Sequence, residues 1–173
     1  CGKPVALARS LDIPRAAANF RFFAAAATQF ASESHGMESQ GFNYTLRQPL
    51  GVVACISPWN LPLYLLSWKI APALAAGNAV VAKPSEVTPA TAWLLSRLAV
   101  EAGLPPGVLN VLHGTGAGVG AEIVAHLEVK AISFTGSTRV GAAIAAVAAP
   151  ALKKLSLELG GKNPFIVFAD ADF

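Results

Sequence analysis

Glu158 and Asn60 are the two side chains whose types and neighbours best suit catalysis. Glu158 lies in the segment 157–162 (LELGGK), between apolar residues and beside two glycines. A carboxylate in apolar surroundings holds its proton more tightly than in water, as a general base requires; a plain strand-end carboxylate paired to Lys153 or Lys162 is the alternative. Asn60 lies in the segment 58–62 (PWNLP), where a rigidly held amide could donate to a developing oxyanion or merely close a turn.

Two glycine-containing turns have the residue types that hold phosphate groups. The segment 114–120 (GTGAGVG) follows a strand-like run and opens a helix, as in dinucleotide-binding turns, although such a turn is as often only a tight connection. The segment 134–141 (FTGSTRVG) ends a strand, turns at Gly136 and begins a helix at Ser137 and Thr138. Free N–H groups at a helix start bind phosphate, and the two hydroxyls either donate to it or only cap the helix.

The segment 83–86 (KPSE) adds a cation and a carboxylate after another strand-like run. A carboxylate there could accept hydrogen bonds from ribose hydroxyls and would repel a 2′-phosphate, which favours NAD over NADP. A solvated turn is the alternative interpretation of Lys83 and Glu86.

Alternating strands and helices must position these segments. Short apolar runs predict strands at 51–56, 79–82, 108–112, 130–134, 154–159 and 164–168. Between them we expect helices at 63–76, 88–102 (with Thr88 as N-cap) and 136–149, and a short helix that ends near residue 126. The order predicts a Rossmann-like α/β fold, a parallel sheet with helices on both faces. Because ligands bind beyond the carboxyl ends of such strands, we expect Asn60, Lys83, Ser137 and Glu158 to line one groove.

The region before residue 51 has a different pattern. It predicts a helix over 16–30 with Asp12 and Pro14 near its start, a loop over 35–41 and an exposed strand over 42–48. We therefore assign 1–50 to an N-terminal helix with an oligomerisation-type strand, and 51–173 to a truncated nucleotide-binding domain.

The composition excludes several classes of protein. Of 173 residues, 54% are hydrophobic and 13% are charged, which excludes a disordered chain and suits a sheet buried on both faces. The net charge of +3 comes from scattered basic residues and does not favour nucleic-acid binding. Two cysteines make no disulfide framework, no signal peptide is visible, and we expect no membrane span and a cytoplasmic location. The low charge predicts a surface partly covered by more chain or by another subunit.

In these motifs and in their order, the sequence resembles the aldehyde dehydrogenase superfamily. The four motifs are 58–62, 83–86, the FTGST segment at 134–138, and 157–162. The resemblance covers essentially all of this chain but only part of a full-length member. It implies a partial aldehyde dehydrogenase fold and oxidation of an aldehyde to a carboxylic acid. The family's chemistry is cysteine attack, hydride transfer to NAD(P) and thioester hydrolysis, without a metal.

The resemblance also implies a role for each candidate residue. Asn60 matches the oxyanion-hole asparagine and Glu158 the general base. Lys83 and Glu86 match the pair at the adenosine ribose. The other positions expected to bind NAD are Ile56, Ser57, Pro58, Trp59, Ser85, Gly116, Gly120, Phe134, Gly136, Ser137, Leu159 and Gly160.

The nucleophilic cysteine of the family lies beyond Glu158, in a segment that this chain does not reach. Cys55 is predicted to lie inside an apolar strand, where a thiol is normally inert, and Cys1 matches nothing catalytic. We therefore expect an inactive fragment of a complete enzyme. A non-catalytic assembly or interaction piece is the alternative.

Two segments, 56–70 and 153–163, most resemble the muconic semialdehyde dehydrogenase branch. Its substrates, 2-aminomuconate or 2-hydroxymuconate semialdehyde, carry a carboxylate. Arg15 could pair with that carboxylate because a guanidinium suits bidentate binding, and Trp68 could line the same channel; an ordinary surface arginine is the alternative. We expect the complete enzyme to be a homo-oligomer, a dimer or tetramer, that binds an aldehyde and neither nucleic acid nor membrane.

Overall fold

The chain begins with a long helical segment and a small hairpin. The computed structural model describes residues 2–172, so Cys1 lies outside the described residues. A helical turn at Val5–Leu7 and a π-helical turn at Ala8–Asp12 lead directly into helix α1, Ile13–Ala27. Strands β1 (Ser34–Met37) and β2 (Gly41–Tyr44) then form an antiparallel hairpin whose residues are all exposed.

Two predictions for this region are wrong. Pro14 does not begin the helix, because helical backbone already starts at Val5 and the wider π-helical turn before Pro14 accommodates its missing N–H. The segment 35–41, predicted as a loop, contains most of β1. The residues of β1 (SHGM) do not alternate between polar and apolar types, and such alternation is the signal that predicts a strand.

A five-stranded parallel sheet forms the centre of the fold. It consists of β3 (Val52–Ile56), β4 (Ala79–Lys83), β5 (Leu109–Val111), β6 (Val129–Thr135) and β7 (Lys154–Glu158), in the order β5-β4-β3-β6-β7. The predicted parallel sheet is therefore confirmed. From β3 the chain first builds outward to β5 and then returns to the other side at β6. Open α/β sheets bind their ligands at such a switch point.

The strand predicted at 164–168 does not form. These residues have no regular secondary structure, and Phe165 is 91% exposed. Strand β7 is the edge of the sheet among the described residues, so its far side offers no apolar surface to hold the segment. An apolar run alone does not make a strand without a partner and a covered face.

Helices cover both faces of the sheet, as predicted. Helices α2 (Pro62–Ala75) and α3 (Ala90–Glu101) lie on one face, and α4 (Ala121–Ala125) and α5 (Thr138–Ala148) on the other. Alternate residues of a strand point to opposite faces, so β3 contributes to both cores. The first core contains Val53, Cys55, Leu66, Ile70, Val80, Ala82 and Ala92; the second contains Ala54, Ile56, Ile123, Val124, Val129, Ile132, Phe134, Ile144 and Ala148.

The ends of α2 and α3 show where turn residues act. Asn78 ends α2 by accepting hydrogen bonds from the N–H groups of Leu50 and Gly51 and donating to the Ala73 carbonyl. The predicted N-cap at Thr88 is wrong, because Pro89 takes the N-cap position of α3 and the buried Thr88 hydroxyl has no partner. Among the described residues, no helix is long and apolar enough to cross a membrane.

Helix α1 lies on α2 through polar contacts. The Asp12 carboxylate, 3.4 Å from Lys3 Nζ, accepts a hydrogen bond from the Tyr64 N–H at 2.8 Å. Leu61, the N-cap residue of α2, has no side chain that can accept one, so Asp12 caps α2 from outside rather than its own helix. Asn19 Nδ2 donates to Ser67 Oγ at 2.9 Å. The division at residue 50 stays a prediction, since α1 contacts the second predicted domain directly.

Candidate active site

The carboxyl ends of the strands bring the predicted site segments to one edge of the sheet. The register places Ile56 beside Lys83. The Ser57 N–H donates to the Lys83 carbonyl at 3.2 Å, and the Gly136 N–H donates to the Glu158 carbonyl at 3.0 Å. The turn after β3 is thus joined to the end of β4, and the turn after β6 to the end of β7.

An apolar cleft of about 370 Å³ opens at this edge between α4 and α5; we call it the α4–α5 cleft. Its volume is in the range that small-molecule sites occupy, roughly 300–1,000 Å³. Five of the residues predicted to bind a cofactor line it, namely Ile56, Lys83, Gly116, Gly120 and Phe134. Its other walls are mostly aliphatic side chains of the two helices, with Glu122 as a second charged residue.

Lys83 and Glu86, predicted only as a cation and a carboxylate after a strand, form an ion pair beside the cleft. The buried Lys83 Nζ lies 3.5 Å from Glu86 Oε2 and donates to the Pro84 carbonyl at 3.1 Å. Glu86 is half exposed. The hydrogen bond from its own backbone N–H lowers the pKa of Glu86, helped by the Lys83 ammonium and the Gly116 N–H and opposed by partial burial. Glu86 does not itself line the cleft, but its ionised carboxylate is paired with the buried Lys83 of the cleft wall.

The glycine turn after β5 forms one wall of the cleft. A π-helical turn, Gly116–Gly120, runs directly into α4, and Thr115 Oγ1 caps it by accepting from the Gly118 N–H at 3.1 Å. A Cβ at Gly120 would lie 3.6 Å from the Lys83 side chain. The Lys83 side chain thus runs alongside the turn, at a distance that would also admit a Cβ in ordinary van der Waals contact.

The turn after β6 caps α5. Ser137 is its N-cap, and its Oγ accepts from the Val140 N–H at 3.3 Å, so the capping role left open by the sequence is present. A Cβ at Gly136 would overlap the Phe134 ring, and one at Gly141 would lie 2.5 Å from Leu159 Cδ2. These two glycines allow the strand ends to approach α5 closely.

Several predicted residues line neither the cleft nor the second cavity described below. Trp59 and Asn60 are exposed, Pro58 is partly buried, and Ser85 is buried with its hydroxyl facing its own turn. Ser137, Leu159 and Gly160 also line neither cavity. Ser57 is buried at the end of β3, and its Oγ has no hydrogen-bond partner. A buried hydroxyl without a partner is costly unless a ligand completes it.

A second cavity, of about 480 Å³, lies between α2 and strands β3, β6 and β7; we call it the α2-side cavity. It contains Glu158, Trp68, Lys69 and Cys55. The expectation that the four residues at the strand ends line a single groove is therefore wrong. Lys83 lines the α4–α5 cleft and Glu158 the α2-side cavity, while Asn60 and Ser137 line neither.

Glu158 is exposed, so the expectation of apolar surroundings is wrong. It ends the edge strand β7, whose outer side no described residue covers. No ion pair joins it to Lys153 or Lys162 among the described residues. Lys153 instead donates to the carbonyls of Val124 and His126, at 2.6 Å each.

Lys69 is a candidate site residue that sequence analysis missed. It is only 5% exposed, and its Nζ donates to Ser133 Oγ at 3.2 Å. Burial lowers the pKa of Lys69, while Cys55 and Glu158 act in the opposite direction. A charged residue on the buried stripe of an apolar helix was the available signal.

Cys55 is buried, as predicted, with 1% of its surface exposed. Burial raises the pKa of the Cys55 thiol to about 12, although Lys69 partly offsets the shift. The thiol is therefore protonated at neutral pH and is a poor nucleophile. The described residues contain no group of three or more His, Cys, Asp and Glu side chains that could hold a metal ion.

Arg15 and Trp68 are linked by Tyr64. The Arg15 guanidinium donates to the Tyr64 hydroxyl at 3.1 Å and lies 5.2 Å from the centroid of its ring. Trp68 packs edge-on against Tyr64 and Phe23, with centroid distances of 6.5 and 5.7 Å. The two residues predicted to contact a substrate thus belong to one aromatic cluster.

Comparison with known proteins identifies the relatives of this chain. Residues 1–173 match the Aldehyde dehydrogenase family. The 2-aminomuconic semialdehyde dehydrogenase of Homo sapiens is 58% identical over 172 residues, which are 99% of this chain and 35% of the relative. The 2-hydroxymuconic semialdehyde dehydrogenase of Pseudomonas sp. (strain CF600) is 52% identical over 176 residues, 99% of this chain and 36% of the relative.

Solved structures of aldehyde dehydrogenases are also similar to this chain. The NAD+ complex of an aldehyde dehydrogenase from Bacillus cereus has a TM-score of 0.92 and 42% identity, covering 99% of this chain and 35% of that one. PnpE in complex with nicotinamide adenine dinucleotide has a TM-score of 0.90 and 46% identity, covering 93% of this chain and 33% of that one. The chain thus spans about 35% of the length of these curated relatives. It belongs to the aldehyde dehydrogenase family.

Proposed function

We propose that this chain forms the NAD-binding part of an aldehyde dehydrogenase, and that the complete protein oxidises a muconic semialdehyde to a carboxylic acid. The observation that carries the proposal is the α4–α5 cleft, an apolar cavity at the switch point of a parallel sheet with the Lys83–Glu86 ion pair at its wall. The relatives named for 2-aminomuconic and 2-hydroxymuconic semialdehyde support the substrate class.

The residues present fit NAD. The aliphatic walls of the cleft suit an adenine ring, and Lys83 and Glu86 suit the hydroxyls of its ribose. The N–H groups at the start of α5, after Gly136 and Ser137, suit the pyrophosphate. The unpartnered Ser57 hydroxyl is a further group that a ligand at this edge would satisfy. Bound there, NAD supplies the hydride acceptor.

The ionised state of Glu86 favours NAD over NADP. A 2′-phosphate on the ribose would bring a second negative charge to the carboxylate, and like charges a few ångströms apart repel. Lys83 does not compensate, because its charge is already paired with Glu86.

Asn60 and Glu158 have the catalytic roles in this proposal. Both are exposed at the edge of the sheet and are accessible to a substrate. The Asn60 amide donates to the oxyanion that forms at the aldehyde carbon. Glu158 takes the proton from the water that releases the acid.

The nucleophile comes from outside these 173 residues in this proposal. Cys55 is unsuitable because it is buried and protonated. By itself the chain does not oxidise aldehydes, and only the complete enzyme forms the carboxylic acid and NADH.

Arg15 binds the carboxylate of the semialdehyde, and Trp68 lines the path to Glu158. Trp68 and Glu158 line the same α2-side cavity, which supports the second assignment. A guanidinium pairs with a carboxylate through two parallel hydrogen bonds, which fixes the orientation of the substrate as well as its charge.

The complete protein is a cytoplasmic homo-oligomer, a dimer or tetramer, in this proposal. The exposed β1–β2 hairpin supports it, because an isolated two-stranded hairpin is marginally stable without a partner. An assembly or interaction piece without cofactor binding is the competing function. The exposed apolar residues at 165–168 are the observation that favours it.

Calorimetric titration of the purified protein with NAD and NADP tests the proposal. We expect NAD to bind, NADP to bind roughly tenfold more weakly, and Glu86→Ser to narrow that ratio. Glu122→Ser is the matched control, because it removes the carboxylate that lines the cleft itself, and it should leave the ratio of the two affinities unchanged. No binding at millimolar NAD would favour the assembly piece, and a constant ratio in Glu86→Ser would remove the role of Glu86.

A further inference from the structure

We propose that Tyr64 is a positioning residue for substrate specificity, which holds the Arg15 guanidinium where a substrate carboxylate binds. The inference rests on the proposed role of Arg15 and adds the element that fixes it. Tyr64 acts through Arg15 and makes no contact with the reacting atoms.

Tyr64 holds Arg15 in two ways. Its hydroxyl accepts a hydrogen bond from the guanidinium at 3.1 Å. Its ring lies 5.2 Å from the guanidinium carbon, within the range of a cation–π interaction. A long exposed side chain otherwise samples many rotamers, so this double contact selects one orientation for a residue that is exposed to solvent.

Tyr64 is itself fixed from several sides. Its backbone N–H donates to Asp12, and its carbonyl accepts from Asn19 Nδ2 at 3.2 Å and from Ser67 Oγ at 2.8 Å. Its ring packs edge-on against Trp68. The orientation of Arg15 is therefore set by the junction of α1 and α2 rather than by a loop.

The Arg15 charge is available to a ligand. Among the described residues, no carboxylate lies within ion-pair distance of Arg15. Asp12, the acid one turn before it, is already bound to the Tyr64 N–H and to Lys3. A guanidinium has five N–H donors, and the contact with Tyr64 leaves an edge free for a carboxylate.

The aromatic cluster around Tyr64 connects the Arg15 charge to the cavity that contains Glu158. Trp68 contacts Tyr64 and also lines the α2-side cavity that contains Glu158. A substrate whose carboxylate lies on Arg15 can therefore extend past Trp68 toward that cavity. The arrangement fits an aldehyde with an acid at its far end better than an uncharged aldehyde.

Kinetics of the complete enzyme test the inference. Tyr64→Phe keeps the ring and removes the hydroxyl. We expect it to raise KM for a carboxylate-bearing semialdehyde about three- to tenfold, the effect of one lost hydrogen bond. The kcat for this substrate, and both constants for an uncharged aldehyde of similar length, should stay unchanged. Tyr44→Phe, at the other tyrosine of the chain, is the matched control and should change nothing.

Arg15→Ala separates this inference from the function on which it rests. We expect Arg15→Ala to lose the preference for the charged aldehyde, and Tyr64→Phe to have no further effect in that background. If Arg15→Ala loses the preference for the charged aldehyde but Tyr64→Phe keeps it, the role of Tyr64 is overturned and that of Arg15 stands. If Arg15→Ala keeps it, both assignments are overturned. Equal losses for the two aldehydes in Tyr64→Phe would show a merely structural tyrosine.

Discussion

Solvent exposure separates the titratable side chains at the α2-side cavity into different chemical roles. Cys55 and Lys69 are buried there. Burial raises the pKa of Cys55 and lowers that of Lys69, which favours the neutral form of each side chain. Glu158 lies at the end of an edge strand and is exposed. The Cys55 thiol would have to ionise to act as a nucleophile, which its raised pKa opposes, whereas a base must reach solvent water, to which Glu158 is exposed.

Alkylation of Cys55 tests the first of these statements. The raised pKa, about 12 against an ordinary 9.0, lowers the thiolate fraction near neutral pH about a thousandfold, since each pH unit is a factor of ten. We expect iodoacetamide to modify Cys55 at least that much more slowly than a free thiol at about pH 8, followed by mass spectrometry. In urea the rate should become ordinary. Rapid native modification would show an ionised, accessible thiol.

Glu158→Gln tests the proposed base in the complete enzyme. Removal of a general base typically costs about 100-fold or more in rate, so steady-state turnover should fall by at least that factor. The first turnover should still release one NADH per active site, because hydride transfer precedes the step that needs the base. Stopped-flow absorbance measures both phases. An undiminished steady-state rate would exclude this role.

At the level of elements, the buried strands and helices could be predicted more fully than the exposed hairpin, of which only the second strand, β2, was predicted. The five strands of the sheet and their helices appear close to their predicted bounds, because each carries an apolar face with a clear period. Strand β1 was missed because its four residues (SHGM) neither alternate between polar and apolar types nor form an apolar run. The segment 164–168 was misassigned because its apolar residues have no partner among the described elements.

The site was predictable to the same extent. The ends of buried strands gave the Lys83–Glu86 pair and the lining of the α4–α5 cleft. The sequence did not reveal that the sheet divides the site into two cavities, because side-chain direction beyond a strand end depends on the turn. It also missed Lys69 and Tyr64, whose contacts come from residues far away in the chain.

Helix α4 depends on a residue outside it. With five residues it is too short to be stable alone, and Lys153 satisfies carbonyls at its end, those of Val124 and His126. Because α4 forms a wall of the cleft, Lys153→Met should weaken NAD binding about three- to tenfold by loosening that wall. Calorimetry measures the affinity. Lys162→Met, at an exposed lysine, is the control, and equal affinities in the two variants would contradict the prediction.

At the level of the whole molecule, the β1–β2 hairpin carries apolar side chains that no described residue covers. The hairpin exposes Phe42 and Tyr44, at 72% and 59% of their surfaces. The centroids of their two rings are 5.8 Å apart. Apolar side chains grouped on one exposed element usually mark an interface. The proposed homo-oligomer would cover them.

Phe42→Lys tests the hairpin as an interface. A charge buried at a subunit contact costs several kcal/mol without a partner, so the mass in solution should fall toward that of a monomer, as light scattering measures. NAD affinity should not change. Leu127→Lys, at a leucine that is 76% exposed, serves as the control and should keep the native mass. An unaltered mass in Phe42→Lys would place the interface elsewhere.

The close approach of Leu159 to Gly141 gives the molecule a mechanical link. Leu159 fills the notch that the glycine leaves in α5, and the Gly136 N–H, in the turn before α5, donates a hydrogen bond to the Glu158 carbonyl. The helix start proposed to bind the cofactor and the strand end that carries the proposed base are therefore in direct contact. A single methyl group added at position 141 would have to displace the δ-methyl groups of Leu159, the residue next to Glu158, without touching any atom of either reactant.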